Sequence, residues 1–272
     1  MLLAIDTATR WISLALHDGH EVTAEATWKS GNYHTVELAP QVALLMRRAS
    51  VAPVQLQGIA VAIGPGSYTG LRIGLGFAKG LSLAQAVPLV GVPTLDGLMR
   101  AQPPRAERAV ALLQAGRGHV SAGHYRWNAR HYRWEPAGET QVLDWAGLIA
   151  QLAPPDDPPA ERAPVYVVGE IDAAGAEQLR ALKRQVLLAT PAQSLRRAGF
   201  LAELGWERLR SAPDDANRLA PNYGGPLAGA GPLGETVPIA PVQAVAAPNQ
   251  AAAAPDQAAP YPAGAERDDK RL

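Results

Sequence analysis

Apolar and polar positions along the chain change rhythm several times, and each change predicts an element. The opening run Leu2–Ile5 is wholly apolar, short, and closed by Asp6, the signature of a buried strand. Ile12–His17 reads as its hairpin partner, Asp18-Gly19 as a turn, and the alternating stretch Glu21–Trp28 as a third strand. Over Thr35–Ala49 the residues Leu38, Val42, Leu45 and Ala49 recur at helical spacing, and Pro40 should kink that helix or mark a late start. Gln57–Ile63 predicts another buried strand, Gly64–Gly70 a tight turn, and Leu71–Gln85 a second helix with Ser67 and Thr69 as candidate N-caps. Farther on, Ala109–Gln114 and Val165–Val168 read as strands and Ala173–Leu182 as a helix. Ala192–Leu209 reads as a last helix with Leu195, Leu201 and Leu204 inward. His124-Tyr125-Arg126-Trp127 recurs as His131-Tyr132-Arg133-Trp134, which predicts a β-hairpin around Asn128-Ala129-Arg130. Antiparallel strands first, then helices and a further strand, point to a mixed sheet with helices packed on it.

Composition divides this pattern into regions. Residues 1–100 are apolar, periodic and punctuated by glycine, a first lobe; 101–223 are less regular, a second lobe, interrupted at Pro154–Pro159. The Ala/Pro-rich stretch 224–272 has almost no large apolar residues, cannot offset chain entropy by burial, and is expected to be a disordered tail. Lys+Arg and Asp+Glu are both 25, so the basic footprint of an autonomous nucleic-acid binder is missing. The absence of cysteine excludes disulfides, thiolate catalysis and Cys-based metal sites. The apolar opening is too short for a secretion signal, and no run approaches the roughly 18 apolar residues of a membrane helix. A cytoplasmic protein without a membrane partner is the expectation.

Candidate chemistry is sparse. Asp6-Thr7-Ala8-Thr9, between two strands, has the residue types of a phosphate-binding hairpin, in which hydroxyls and amides hold phosphate and the carboxylate orients metal-bound water. The same residues would serve as an Asx turn joining two strands. Gly64–Gly74 resembles a phosphate loop but lacks the Gly-Lys-Ser/Thr ending of a Walker A loop and the spacing of a dinucleotide fingerprint. The glycines Gly70, Gly74, Gly76 and Gly80 each cost roughly 1 kcal/mol in a helix relative to alanine, so close packing must offset them. No histidines stand at metal-ligand spacing on a helix, no nucleophile constellation emerges, and no metal site or cofactor is expected. His124 and His131 could meet across the hairpin, or simply be exposed with the neighbouring Tyr and Trp. Arg126, Arg130 and Arg133 beside aromatic residues are the only hint of contact with RNA backbone.

Taken together, several segments carry a family resemblance. They are Leu3–Thr9, His34 with Glu37, Leu38 and Pro40, Ala62–Gly74, Ala78–Leu81 and Val90–Leu95, in order through about Leu98, with Pro221-Asn222-Tyr223 near the end. They resemble the TsaB (YeaZ) family of the Gcp-like superfamily. The resemblance implies an α/β, actin-like fold of two lobes with mixed sheets flanked by helices. It implies a non-catalytic scaffold subunit of the complex that forms N6-threonylcarbamoyladenosine next to the anticodon of tRNA. The partners implied are the catalytic subunit TsaD, in a heterodimer, and the ATPase TsaE, with tRNA reached through the complex. Exposed apolar stripes would also permit a homodimer of the isolated chain. In the family the two helices equivalent to Thr35–Ala49 and Leu71–Gln85 form the bundle with TsaD, so Leu38, Val42, Leu45, Gly70, Gly74, Phe77 and Leu81 are the expected interface. Asp6, Thr7 and Thr9 would be a vestigial phosphate loop. The alternative is an actin-like phosphotransferase or ATPase using Asp6 and the Gly64–Gly70 loop, for which no second acidic residue stands out in the distal lobe.

Overall fold

The computed structural model describes residues 1–31, 33–116, 118–153, 163–211 and 214–223. The expected tail and the Pro-rich interruption lie outside the described residues, the latter apart from its flanks. β1 (Leu2–Asp6), β2 (Trp11–His17), β3 (Val22–Lys29), β4 (Gly58–Ala62) and β5 (Leu89–Val92) form a five-stranded sheet in the order β3-β2-β1-β4-β5. β1 to β3 are antiparallel, whereas β4 and β5 run parallel to β1. The central strands β1 and β4 are buried throughout, which is why they read as unbroken apolar runs while the edge strand β3 alternates.

The second sheet repeats this plan. β6 (Ala109–Gly116), β7 (His119–Asn128), β8 (Arg133–Pro136), β10 (Val165–Gly169) and β11 (Val186–Leu188) follow the order β11-β10-β6-β7-β8, with β9 (Gln141–Asp144) also paired to β7. Again the first hairpin is antiparallel and the later strands are parallel to the first. One face of each sheet is covered by helices from its own lobe: α1 (His34–Arg48) and α2 (Tyr68–Gln85) on the first, α4 (Trp145–Leu152) and α5 (Ala173–Ala181) on the second. The other faces are exchanged. α3 (Thr94–Arg100), which follows the last strand of the first sheet, puts Leu95, Leu98 and Met99 against the second sheet. α6 (Ala198–Ser211), which follows the last strand of the second, puts Ala198, Leu201 and Ala202 against Leu2, Ala4, Ala60 and Val90 of the first. α3 and α6 meet through Arg100, which pairs with Glu203 at 2.8 Å and Glu207 at 2.9 Å.

The last helix of 101–223 thus packs in the core of the first sheet. The strand pattern anticipated the elements better than their ends. α1 begins at His34 and carries Pro40 inside it, so proline marks no late start. The last helix begins at Ala198 rather than near Ala192, because Thr190–Ser194 close a turn of their own, with Thr190 and Gln193 bonded to each other. The repeated His-Tyr-Arg-Trp stretches do form a hairpin, in which Trp127 faces Trp134, but His131 lies in its turn. His124 and His131 therefore do not meet: one reaches Gln151, the other Glu135. Among the described residues no helix is long and apolar enough to cross a membrane.

Candidate functional site

The two sheets bring their central strands' carboxyl ends to one place, where open α/β sheets commonly gather functional groups. β1 ends at Asp6, and the following Thr7-Ala8-Thr9 turns back into β2. Asp6 Oδ1 accepts from the Ala8 amide at 2.8 Å, the Asx turn that such a sequence favours. Thr7 Oγ1 donates to the Gly70 carbonyl at 2.8 Å, and the Ser67 amide donates to the Ala8 carbonyl at 2.6 Å. His34, at the start of α1, is buried and donates from Nε2 to the Thr9 carbonyl at 2.8 Å.

The loop Gly64–Gly70 is packed onto this turn. Gly64, with φ of 117°, leaves the sheet by a path that L side chains rarely adopt, and a Cβ there would fall 1.8 Å from the Asn222 carbonyl oxygen. Ser67 caps α2 through the Gly70 amide at 3.2 Å. A Cβ on Gly70 would lie 2.2 Å from the Thr7 carbonyl, and one on Gly74 2.1 Å from Thr7 Oγ1. The glycines of the first half of α2 are thus spacers against the chain's own turn, and the expected partner-interface positions Gly70 and Gly74 are buried. Leu38, Val42 and Leu45 are buried in the core under the first sheet, and Phe77 and Leu81 pack partly against it. In the chain by itself these positions stabilise the lobe, because the helical stripe covers its own sheet.

What α1 and α2 expose is different. On α2, Arg72, Gly76, Gly80 and Leu83 face outward; Cβ atoms at Gly76 and Gly80 would meet nothing within 4 Å, and Leu83 is 84 % exposed. On α1, Thr35, Val36, Ala39, Pro40 and Ala43 are exposed. Near the start of α2, Tyr68 stacks on Tyr223 at 4.9 Å and Arg72 donates to the Tyr223 hydroxyl at 2.9 Å, so Pro221-Asn222-Tyr223 docks beside the glycine loop.

At the centre of the site is a residue with no sequence signal. Arg196 is 4 % exposed and lies between the two sheets' strand ends. Its Nε donates to Asp6 Oδ2 at 2.8 Å, Nη1 to Glu170 Oε1 at 2.7 Å and Nη2 to Thr9 Oγ1 at 2.7 Å, while Thr9 itself donates to Glu170 at 2.6 Å. Burial works to lower the pKa of this guanidinium, yet Asp6 and Glu170 outweigh it and the net shift is upward. Glu170 directly follows β10, as Asp6 ends β1. A second acid therefore does stand opposite Asp6, contrary to expectation, but both carboxylates and the Thr9 hydroxyl are satisfied by one arginine. The signal that could have revealed Glu170 is the parallel itself: an acid where a wholly apolar strand ends, twice. Arg196 had none, since it adjoins the exposed Arg197 in an unremarkable polar run.

Beside this cluster a cleft of about 720 Å³ is lined by Arg10, Lys29, Gln114, Asp172 and Arg180 among others. Among the described residues no group of three or more His, Cys, Asp or Glu side chains is placed to hold a metal ion. The arrangement is suited to holding the two lobes together, with the groups that would orient metal-bound water engaged internally.

Comparison with known proteins agrees with this architecture. A family model described as "TsaD: tRNA N6-adenosine threonylcarbamoyltransferase" matches residues 28–159. The tRNA threonylcarbamoyladenosine biosynthesis protein TsaB of Bacillus subtilis is 29% identical over 224 residues, covering 82% of this chain and 93% of that protein. The Escherichia coli protein of the same name is 35% identical over 129 residues, covering 46% of this chain and 54% of that one. The crystal structure of a Pseudomonas aeruginosa protein with similarity to peptidase YeaZ superposes with a TM-score of 0.65 at 28% identity, over 82% of this chain and 98% of that one.

Proposed function

Starting from the TsaB (YeaZ) family, to which the chain belongs, we propose that it is a non-catalytic scaffold subunit in tRNA threonylcarbamoyladenosine biosynthesis, binding the catalytic subunit TsaD. The observation that carries the proposal is the outward face of α2, where Gly76 and Gly80 leave backbone bare beside the exposed Leu83 and the small residues of α1. Small residues in helical register let a foreign helix approach closely, and an exposed face of this kind buries apolar surface on association. A side chain on either glycine meets nothing among the described residues, so close packing by a partner would offset their helix penalty. The absence of catalysis is supported by Arg196, which occupies both carboxylates, and by His34, whose Nε2 is committed to the Thr9 carbonyl. TsaE would join through TsaD, and tRNA would be engaged by the assembly.

Two leucine substitutions on one helix test the assignment. Gly76→Leu should fold normally by circular dichroism and fail to capture TsaD from the same organism in a pull-down. Gly74→Leu should instead lower stability by about 1–3 kcal/mol or more, because it drives into Thr7. A folded Gly76→Leu chain that captures TsaD as the parent does would refute the interface.

A further inference from the structure

The β7–β8 hairpin of the second lobe has no part in the scaffold face or in the buried arginine cluster, yet its construction is unusual. Its tip exposes Tyr132, 75 % accessible and held at φ 51°, a conformation uncommon for a bulky residue. The ring is not loose. It stands edge-on to Trp127 at 5.1 Å, which in turn stands edge-on to Trp134 at 5.7 Å, and Trp134 is buried in the core under α3. A chain of three aromatic rings therefore runs from the core to an exposed ring at the tip. Where a sparsely populated backbone conformation persists and presents a side chain to solvent, function is the natural hypothesis.

The hairpin also carries arginines: Arg126 opposite Glu135 on the strand face away from Trp127, and Arg130 in the turn. Arg126, Arg130 and Arg133 are all exposed. The one acid between His119 and Pro136 is Glu135, and it accepts from Asn128 at 2.8 Å, His131 at 2.9 Å and Arg133 at 3.0 Å. The guanidinium groups of Arg126 and Arg130 are left without a hydrogen bond or ion pair to any described residue. Arg126, Trp127, Asn128 and Ala129 border a depression of about 460 Å³. Because the whole chain has zero formal charge, this patch would act by contact rather than by a long-range field.

We infer that the hairpin tip is a direct contact for single-stranded RNA, with an unpaired base stacked on Tyr132 and neighbouring phosphates held by Arg126 and Arg130. The inference rests on the placement of the chain in a tRNA-modifying assembly and adds to it that this subunit touches the RNA itself. An exposed aromatic ring with arginines on the same narrow hairpin, within reach of one strand wrapping its tip, suits unpaired nucleotides with little sequence preference. Duplex RNA offers no free base to stack, and an acidic peptide would use the arginines but not the ring.

Anisotropy of a labelled stem-loop RNA, titrated with the full chain, tests it. Binding should weaken as salt rises, and a blunt RNA duplex and polyglutamate should compete poorly. Tyr132→Gly removes the ring while suiting the positive φ, so it should fold at least as well as the parent and bind the stem-loop about tenfold more weakly. Tyr132→Phe should restore the parent's affinity. Arg126→Ala with Arg130→Ala should reduce the salt slope by about two. Unchanged affinity in Tyr132→Gly, or equal competition by polyglutamate, overturns the RNA contact. A TsaD pull-down on the same proteins separates the two proposals: Tyr132→Gly should capture TsaD as the parent does. A parent that captures no TsaD breaks the scaffold proposal, whereas the RNA contact stands or falls on the titration.

Discussion

The two sheets share one strand order and one pattern of parallel and antiparallel neighbours, yet they treat the end of their central strands differently. In the first, β1 ends in Asp6, and the turn after it is stitched to the glycine loop by Thr7, Ala8 and Gly70. In the second, β6 ends in Gln114-Ala115-Gly116, and added Cβ atoms at Gly116 and Gly118 would meet nothing. The fourth strands are alike: Gly64 follows β4 and Gly169 closes β10, both at positive φ and both pressed against a carbonyl. A duplicated topology thus offers two equivalent positions for phosphate chemistry, one of which has its acid and one of which does not. The acid that does come from the second lobe, Glu170, arrives from β10 and is bound with Asp6 to a shared arginine. Symmetry of the backbone supplies the cleft, and asymmetry of the side chains closes it.

The largest expected effect comes from breaking that closure. Arg196→Ala leaves the buried Asp6 and the partly buried Glu170 carboxylates without their cation and should cost about 3–5 kcal/mol, read from urea denaturation. Arg197→Ala, next in the chain but about half exposed in its pair with Glu25, should cost about 1 kcal/mol or less. Equal effects would mean that the lobes are not joined through Arg196.

A middle-sized effect sharpens the contrast between the helices. In the second lobe α4 and α5 both begin at an aspartate whose side chain accepts from the third helical amide, Asp144 from Gly147 and Asp172 from Gly175, each at 2.7 Å. Of α1 and α2 in the first lobe only α2 has such a cap, from Ser67, since Tyr33 at the N-cap of α1 makes no side-chain cap bond. Asp144→Ala and Asp172→Ala should each cost about 1 kcal/mol by thermal or chemical denaturation. A loss well below that in both would show that these helices are held by packing alone.

The smallest effects concern two acids shifted in opposite directions, Glu135 on β8 and Asp96 on α3, which packs against the same sheet. Glu135, held by Asn128, His131 and Arg133, has its pKa drawn down from 4.5 to about 2, so its contribution is present above pH 4.5 and fades as pH falls toward 2. Burial raises the pKa of Asp96 from 3.8, against the hydrogen bond from Tyr125, so its neutral form fits the fold better and its contribution fades as pH rises past 3.8. Glu135→Gln should flatten the acid limb of a stability–pH curve. Asp96→Asn should gain stability near neutral pH and lose that gain on acidification. The same sign of change in both would contradict the two environments.

Much of the fold was legible because burial writes itself into periodicity. β1 up to Asp6, β4 and β10 are apolar runs, β3 alternates, α1 has its stripe, and the repeated His-Tyr-Arg-Trp stretch pairs as a hairpin. The short elements β9, β11, α3 and α4 were not anticipated, since a strand or helix of one or two turns carries too few residues to show a period. The family resemblance rested on residues that the structure does use, but often for the chain's own packing: Gly70 and Gly74 make room for Thr7, and His34 supports the Thr9 turn.

The sequence by itself determined where the longer strands and helices form, that the chain carries no cysteine and no net charge, and which family it resembles. Periodicity is a property of neighbours along the chain, and these conclusions need nothing more. Only the tertiary structure decided that α3 and α6 exchange lobes, that Gly76 and Gly80 rather than Gly70 and Gly74 are open, and that Arg196 meets Asp6 across 190 positions. Those facts depend on which distant segments share a volume. A stripe of leucines or a single arginine is compatible with many neighbours until packing chooses one.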